Sequence, residues 1–349
     1  MIRVLTFYSH PMPSSAAALS AFLATLPDTT PAAALQRLHR EGYADLPLPG
    51  AGATLVRWQA LAAVGAHDLA LAKLYEGHLD AVAILAEAGM AEVGASSLWG
   101  TWCAEAPAAR LTIRHGANGF TLHGRKAWCS GAATVSHALV SCWNDAGQAC
   151  LAAVALAQPG ITVTDEGWNA VGMAGSRSVD VLFDGATATL VGEPGFYVAR
   201  PGFWHGGAGV AAVWYGGAQA LAETLHASVA QRLDTGLPVD VHRLAQLGEI
   251  DVALQTTAAL MRTAAVAIDA APFENGMARA MRIRLAVEQC ATTVLHAAGR
   301  ALGAGALCKI ERIARLFADL PVFLRQSHAE RDLESLGRTM CKETTPWQL

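Results

Sequence analysis

The run His123-Gly124-Arg125-Lys126-Ala127-Trp128-Cys129-Ser130-Gly131 ends a β-rich segment on a large aromatic, a thiol, a hydroxyl and a glycine in succession. A core strand alternates its side chains between two faces and gains nothing from such a cluster. A flat aromatic ligand would: Trp128 offers a plane to stack on and Ser130 a polar handle. A Trp filling a barrel core, with Ser130 merely starting a turn, accounts for the same residues. Two histidines stand apart. His205 lies between Trp204 and two glycines in an apolar entry, and His328 lies in an amphipathic C-terminal segment where a surface histidine is the plainer reading. An imidazole titrates near neutral pH, so either could move a proton. The twelve histidines form no HxxxH or HxH cluster and the seven cysteines no CxxC pair, so no metal site is expected.

These residues need elements to position them. "SSAAALSAFLATL" and "TTPAAALQRLHREGY" read as helices, the second with Thr30 as N-cap, Pro31 in its first turn and Gly42 as C-cap. "TLVRWQALAAVGAHDLALAKLYEGHLDAVAILAEAG" reads as two helices broken near Gly65. From Ser96 to Pro194 the pattern becomes short β-rich runs. Turn signals stand at Gly116 to Gly119, at His123-Gly124, and at Asn144 to Gly147. After Trp204 four long helical segments follow, the last written "IERIARLFADLPVFLRQSHAERDLESLG". The expectation is a mainly α chain with a central β domain: helical 1–95, β-barrel 96–194, and a four-helix bundle 200–349. Glu249 and Asp251 are expected to be structural, paired with Arg or Lys.

With 349 residues, 53% hydrophobic and 15% charged, the chain can bury a sizeable core and subunit contacts besides. A net charge of −4 without basic runs speaks against a nucleic-acid partner. The longest apolar stretch is too short and too rich in glycine to span a bilayer. The N-terminus lacks a convincing signal-peptide pattern, and scattered cysteines without a framework suggest reduced thiols in the cytoplasm.

This order of segments and these motifs resemble the acyl-CoA dehydrogenase superfamily over nearly the whole chain. The resemblance implies a helical N-domain, a β-barrel, a C-terminal four-helix bundle and bound FAD. It implies that Trp128, Cys129 and Ser130 form the wall of the flavin pocket, with the Ser130 hydroxyl on the reactive ring nitrogen. Trp102, Ala104 and Glu105 in "TWCAEAPAAR" stand where relatives carry a Thr-Glu-Pro strand end. Glu105 matches, Ala104 replaces the Thr, and the following Gly-Ser-Asp is missing. Gly172, Met173 and Ser176 to Ser178 resemble the close of the family's barrel. Arg232, Gly236 and Pro238 resemble a turn whose Arg reaches a neighbouring subunit's cofactor, with Thr235 and His242 as departures. Arg300 and Gly303, within Gly299 to Gly305, resemble the stretch that approaches the adenine half, with Arg300 replacing a Gln and Ala304 a Gly. A homodimer or homotetramer follows from the same resemblance.

The resemblance breaks at the base. Relatives that oxidise acyl thioesters remove an α-proton with a carboxylate at one of two places, which here read Gly206 and Ser327. Gly207 stands where some relatives carry a substrate-reading Arg. His205 and His328 are each one residue away from the vacant positions and are the candidate catalytic groups; Glu105 and Glu330 are the next acids. The related monooxygenase branch carries "RD…H" in the last helix, and "ADLPVFLRQSH" follows it with Ala318 in place of the Arg. Three functions are therefore implied: an FAD enzyme oxidising an acyl thioester or related small molecule, a flavin-dependent monooxygenase or oxidase, and a non-catalytic binding or assembly member of the fold.

Overall fold

The computed structural model describes residues 15–26, 29–91, 97–116, 119–342 and 347. The signal-peptide reading and the boundary expected at 95/96 lie outside the described residues. Helix α1 (Ala16–Leu23) starts on Ser15, whose hydroxyl accepts from Ala18 N. Helix α2 (Pro31–Arg40) starts on Thr30 with Pro31 at its first position, and Gly42 follows it at φ +77°. Helices α3 (Thr54–His67) and α4 (Leu69–Glu87) meet at Asp68, which is extended and caps α4 through Leu71 N. The break expected near Gly65 is therefore displaced to Asp68. Gly65 lies inside α3 because another helix passes it: a Cβ there would stand 2.4 Å from Val213 O.

The middle of the chain is a barrel of β1 (Trp99–Trp102), β2 (Leu111–Gly116), β3 (Gly119–Cys129), β4 (His137–Trp143), β5 (Ala149–Ala155), β6 (Ile161–Val163) and β7 (Val179–Leu190). Strand β3 pairs with β2 and β7, β7 with β5, and β5 with β4. Strands β1 and β2 lie in succession, parallel, along the other edge of β4, which closes the ring. Gly116 pairs with Gly119, as the first turn signal predicts. Asn144 Oδ1 accepts from Ala146 N and Gln148 N at the β4–β5 tip. The second signal, His123-Gly124, is not a turn. It is a register shift inside β3, with Gly124 at φ +116° tight against Arg110 O.

Helix α5 (Phe196–Ala199) leads into α6 (Gly202–Asp234), α7 (Val241–Ala270), α8 (Met277–Lys309), α9 (Glu311–Leu324) and α10 (Glu330–Met340). The last segment, expected as one helix, divides at Ala329, whose φ is +44°. Helix α8 is interrupted at Gly303, φ +68° and ψ 178°. Gly216 of α6 faces α3 as Gly65 faces α6: a Cβ on it would meet Ala62 O at 2.0 Å. The two helices thus pack backbone to backbone. The N-terminal helices and the bundle share one hydrophobic core, including Leu35, Tyr75, Trp214, Leu221, Val287 and Leu320. The barrel keeps its own, including Leu122, Val140, Val181 and Phe183. Gly172 docks the barrel onto α9: a Cβ there would fall 1.9 Å from Ala318 O, and Met173 N donates to Asp319 Oδ1. No described helix is long and apolar enough to cross a membrane.

Candidate functional site: an open cavity at Trp128

The β3–β7 ladder slips between Lys126 and Cys129. Lys126 opposes Val181 and Cys129 opposes Val179, so Ala127 and Trp128 share the single residue Asp180. That is a β-bulge, a device that re-aims a side chain. Trp128 adopts φ +58°, a left-handed conformation that bulky residues rarely hold. The bulge turns the ring outward, leaving it 45% exposed while Lys126 and Cys129 on either side are buried. The exposed ring lines an open cavity of about 380 Å³ together with Ala106, Ala108, Ala109, Arg125 and Asp180. Three alanines beside a flat aromatic leave room for a planar ring; Arg125 is ion-paired with Asp180 at 2.8 Å and Glu166 at 3.0 Å.

The residues around Trp128 divide between cavity and scaffold. Cys129 does not join the cavity wall: its side chain packs in the barrel core, where burial pushes its thiol well up. Trp102 is likewise internal, and its Nε1 donates to Ser130 O at 3.1 Å. Ala104 is exposed just after β1. Lys126 points inward and donates to Glu105 Oε1 (2.7 Å), Ser141 Oγ (2.7 Å) and Ser141 O (3.0 Å). Burial alone would raise the Glu105 carboxyl. Hydrogen bonds from Lys126, Ser141 and Trp143 outweigh it, and the carboxyl sits below its ordinary value. Glu105 is thus an ionised partner of Lys126 rather than a poised base.

Ser130 sits two residues beyond the Trp128 ring, nearly buried, its Oγ 2.8 Å from Ser178 Oγ. Ser178 Oγ lies 2.9 Å from Ser176 Oγ, which donates to Met173 O at 2.8 Å. Met173 and Arg177 flank this chain at φ +61° and +41°. Three of the four described non-glycine residues at positive φ therefore lie within or beside this serine chain.

The remaining expected site residues are placed elsewhere. His205 is buried, 4% exposed, with its ring against Gly50 and Gly276. Its Nε2 is 2.8 Å from Pro272 O, which can only accept, so that nitrogen carries the proton. His205 braces the start of α6 against the α7–α8 loop. His328 is exposed in the turn between α9 and α10, with Nδ1 3.7 Å from Asp332 Oδ1. Glu330 is exposed at the start of α10. Arg232 donates through Nε and Nη2 to Pro238 O, closing its own turn. It lies at the opposite end of α6 from His205, roughly 40 Å away at 1.5 Å per residue. Arg300 is exposed, and Gly303 forms the break in α8. Glu249 and Asp251, expected in ion pairs, are exposed on α7 and make none among the described residues.

A second polar cluster, which no sequence motif marks, lies where α4 meets the start of α6. Arg200 donates to Glu87 Oε2 at 2.6 Å and lies 3.6 Å from Asp80 Oδ1; Gly202 N donates to Glu87 Oε1. Asp80 Oδ1 is buried without a hydrogen-bond partner. A Cβ on Gly206 would lie 2.8 Å from that oxygen. The space of a residue-206 side chain is therefore filled by a carboxylate from α4. Arg284 of α8 donates to Gly207 O and Gln326 O, both at 2.8 Å, tying the start of α6 to the end of α9.

A barrel docked on a helical bundle that shares its core with N-terminal helices is the acyl-CoA dehydrogenase-like fold. Residues 193–324 match the family described as acyl-CoA dehydrogenase, C-terminal domain. KijD3, solved with FMN and a dTDP-linked amino-keto sugar, is 22% identical with TM-score 0.78, covering 95% of each chain. TdsC, a dibenzothiophene monooxygenase from Paenibacillus sp. A11-2 solved with FMN and indole, is 19% identical with TM-score 0.81 (95% of this chain, 98% of that one). Glutaryl-coenzyme A dehydrogenase in its glutaryl-CoA complex is 17% identical with TM-score 0.78 (93% and 94%). No curated protein sequence matches the chain. These solved structures share the fold over nearly the whole chain, and the family match covers residues 193–324.

Proposed function

We propose that the chain is a flavin-dependent oxidoreductase that holds the isoalloxazine against Trp128 and runs monooxygenase-type chemistry on a small organic substrate. The observation that carries this reading is the Trp128 ring, held outward over a cavity by a strained bulge. Strain of that kind persists where the surroundings enforce it, and it gathers at ligand sites. A bound flavin would supply the electron-pair chemistry. The chain's own residues supply the plane (Trp128) and small walls (Ala106, Ala108, Ala109). Glycine and serine at positions 206 and 327 support oxygen chemistry over α-proton removal, and KijD3 and TdsC are FMN-bound relatives in fold. His328 is exposed, with Nδ1 beside Asp332. FMN is the flavin favoured, since KijD3 and TdsC, alike in fold, are solved with it. A homo-oligomer is itself supported by the exposed apolar stripe Val241, Leu244, Val252, Leu260 and Val266 on α7. The unpaired cysteines suit a reducing cytoplasm.

Titration of the purified protein with FMN and FAD, followed by flavin fluorescence, tests the reading. Saturable binding is expected, weakened by Trp128→Ala. Absence of binding, or equal affinity in the variant, overturns it. A second reading, thioester dehydrogenation, is favoured by one observation: the Asp80 carboxylate fills the place of a side chain at 206 and has an unpartnered oxygen. Anaerobic bleaching of the bound flavin by an acyl-CoA, lost in Asp80→Asn, would establish that reading in place of the first.

A further inference from the structure

Phe203, Gly206 and Gly207 share one face of α6, because residues three and four apart are neighbours on a helix. A Cβ on Gly207 would meet nothing within 4 Å. The three atoms nearest a Cβ on Gly206 would be Asp80 Oδ1 at 2.8 Å, Asp80 Cγ at 3.7 Å and Arg200 Nη2 at 4.0 Å. Asp80 Oδ1 and Arg200 Nε are both buried without a hydrogen-bond partner among the described residues. The carboxylate and the guanidinium do not satisfy each other, since Oδ1 and Nη2 stand 3.6 Å apart, beyond hydrogen-bond distance. Arg200 is fixed instead by Glu87 Oε2 at Nη1 and by the Tyr197 ring, whose centroid lies 5.5 Å from the guanidinium carbon. The Tyr197 ring meets the Phe203 ring edge-on at 5.4 Å, and both residues are half-buried. An unpaired buried polar atom costs free energy that a ligand supplying the missing bond recovers. A charged ligand does not suit this pair: an ammonium would face the guanidinium, and an anion would face the carboxylate. A neutral hydroxyl suits both, donating its proton to Asp80 Oδ1 and turning a lone pair toward Arg200 Nη2.

We propose that the open face of α6 at Gly206, with Asp80 and Arg200, binds the hydroxyl group of a neutral alcohol or phenol, its carbon skeleton lying toward Phe203. Glycine at 206 leaves room for the ligand oxygen where any side chain would press on the carboxylate. The half-buried aromatic rings beside the pair suit a phenol over a small polyol, because they offer apolar surface and no further polar partner at the α6 face. As the substrate pocket of an oxidoreductase the site rests on the flavin reading above. As a binding site it stands without flavin.

The test titrates the purified protein with p-fluorophenol and with p-fluorotoluene, which has a methyl in place of the hydroxyl, and follows each by fluorine NMR. Wild type is compared with Asp80→Asn, which removes the charge of the acceptor, and with Gly206→Ala, whose methyl takes the place of the ligand oxygen while Asp80 stays. Circular dichroism checks that each variant is folded, and either variant alone suffices. Wild type is expected to bind the phenol at least about tenfold more tightly than the toluene, the size of one hydrogen bond to a charged group. Asp80→Asn should lose about tenfold for the phenol, with the toluene unchanged, and Gly206→Ala should lose the phenol altogether. Equal affinity of wild type for the two probes overturns the proposal. So does phenol binding that is unchanged in the folded variants, which puts the probe elsewhere, and so does a wild type that binds no phenol, which leaves the pair to water only. FMN titration of the same samples reads the flavin separately: phenol bound in the expected pattern by a protein that takes up no FMN supports the site and sinks the flavin reading alone.

Discussion

Replacing Trp128 by Gly and by Ala should invert the usual ranking of those two residues. A Trp side chain covers roughly 200 Å² when fully buried. With 45% exposed, about 110 Å² is covered, worth ~3 kcal/mol at ~25 cal/mol per Å². Both truncations lose that contribution. Alanine keeps the left-handed strain of about 1–2 kcal/mol at φ +58°, and glycine does not. Glycine also loses about 0.4–1 kcal/mol through the greater freedom of its unfolded chain. The difference leaves Trp128→Gly more stable than Trp128→Ala by about 1 kcal/mol, whereas in an ordinary strand Ala exceeds Gly by about 0.5–1 kcal/mol. Urea denaturation of both variants, followed by far-ultraviolet circular dichroism, reads the difference directly. Equal midpoints, or a more stable alanine variant, would show that the bulge is not strained and would remove the argument that the fold sacrifices stability to aim this ring.

Three further outcomes follow from the same contacts. Gly172→Ala pushes a methyl into Ala318 O and Val322, and should cost about 2 kcal/mol or more in urea denaturation, since overpacking at a rigid backbone contact has little room to relax. His78 is buried with its Nδ1 accepting from Trp99 N, and burial first, then His39 and Arg57, lower its pKa to about 4. The unfolded chain binds its proton below about 6.5 and the fold does not. Stability should therefore fall by about 3 kcal/mol between pH 6.5 and 4, a slope that His78→Gln flattens. Glu105 has the opposite origin but the same sign. Its lowered pKa contributes stability above its ordinary value near 4.5 and loses it as pH falls further, so Glu105→Gln should remove that part of the acid limb in a pH series of denaturation midpoints.

Local chemistry was legible in the sequence, and long-range placement was not. Thr30, Pro31 and Gly42 mark their helix because caps act within four residues. Asn144 to Gly147 mark a hairpin tip for the same reason. The Trp128–Ser130 pattern falls on the β-bulge. That Trp128 faces out while Cys129 faces in depends on a bulge opposite Asp180, more than fifty residues away in sequence. Gly65 looked like a break because a glycine weakens an isolated helix. Its reason is Val213 O of α6, which no local rule reports. His205 stands beside Trp204 and two glycines in sequence, yet Gly50, Gly276 and Pro272, distant in sequence, close over its ring. Asp80 carries no motif at all; only the fold brings its carboxylate against Gly206.

The central claim is that Trp128 is the platform for a flavin ring. The most direct measurement is a crystal structure of the protein equilibrated with saturating FMN. The account predicts the isoalloxazine stacked on the Trp128 ring. A flavin ring bound elsewhere, or a Trp128 face left bare at saturating FMN, would contradict it.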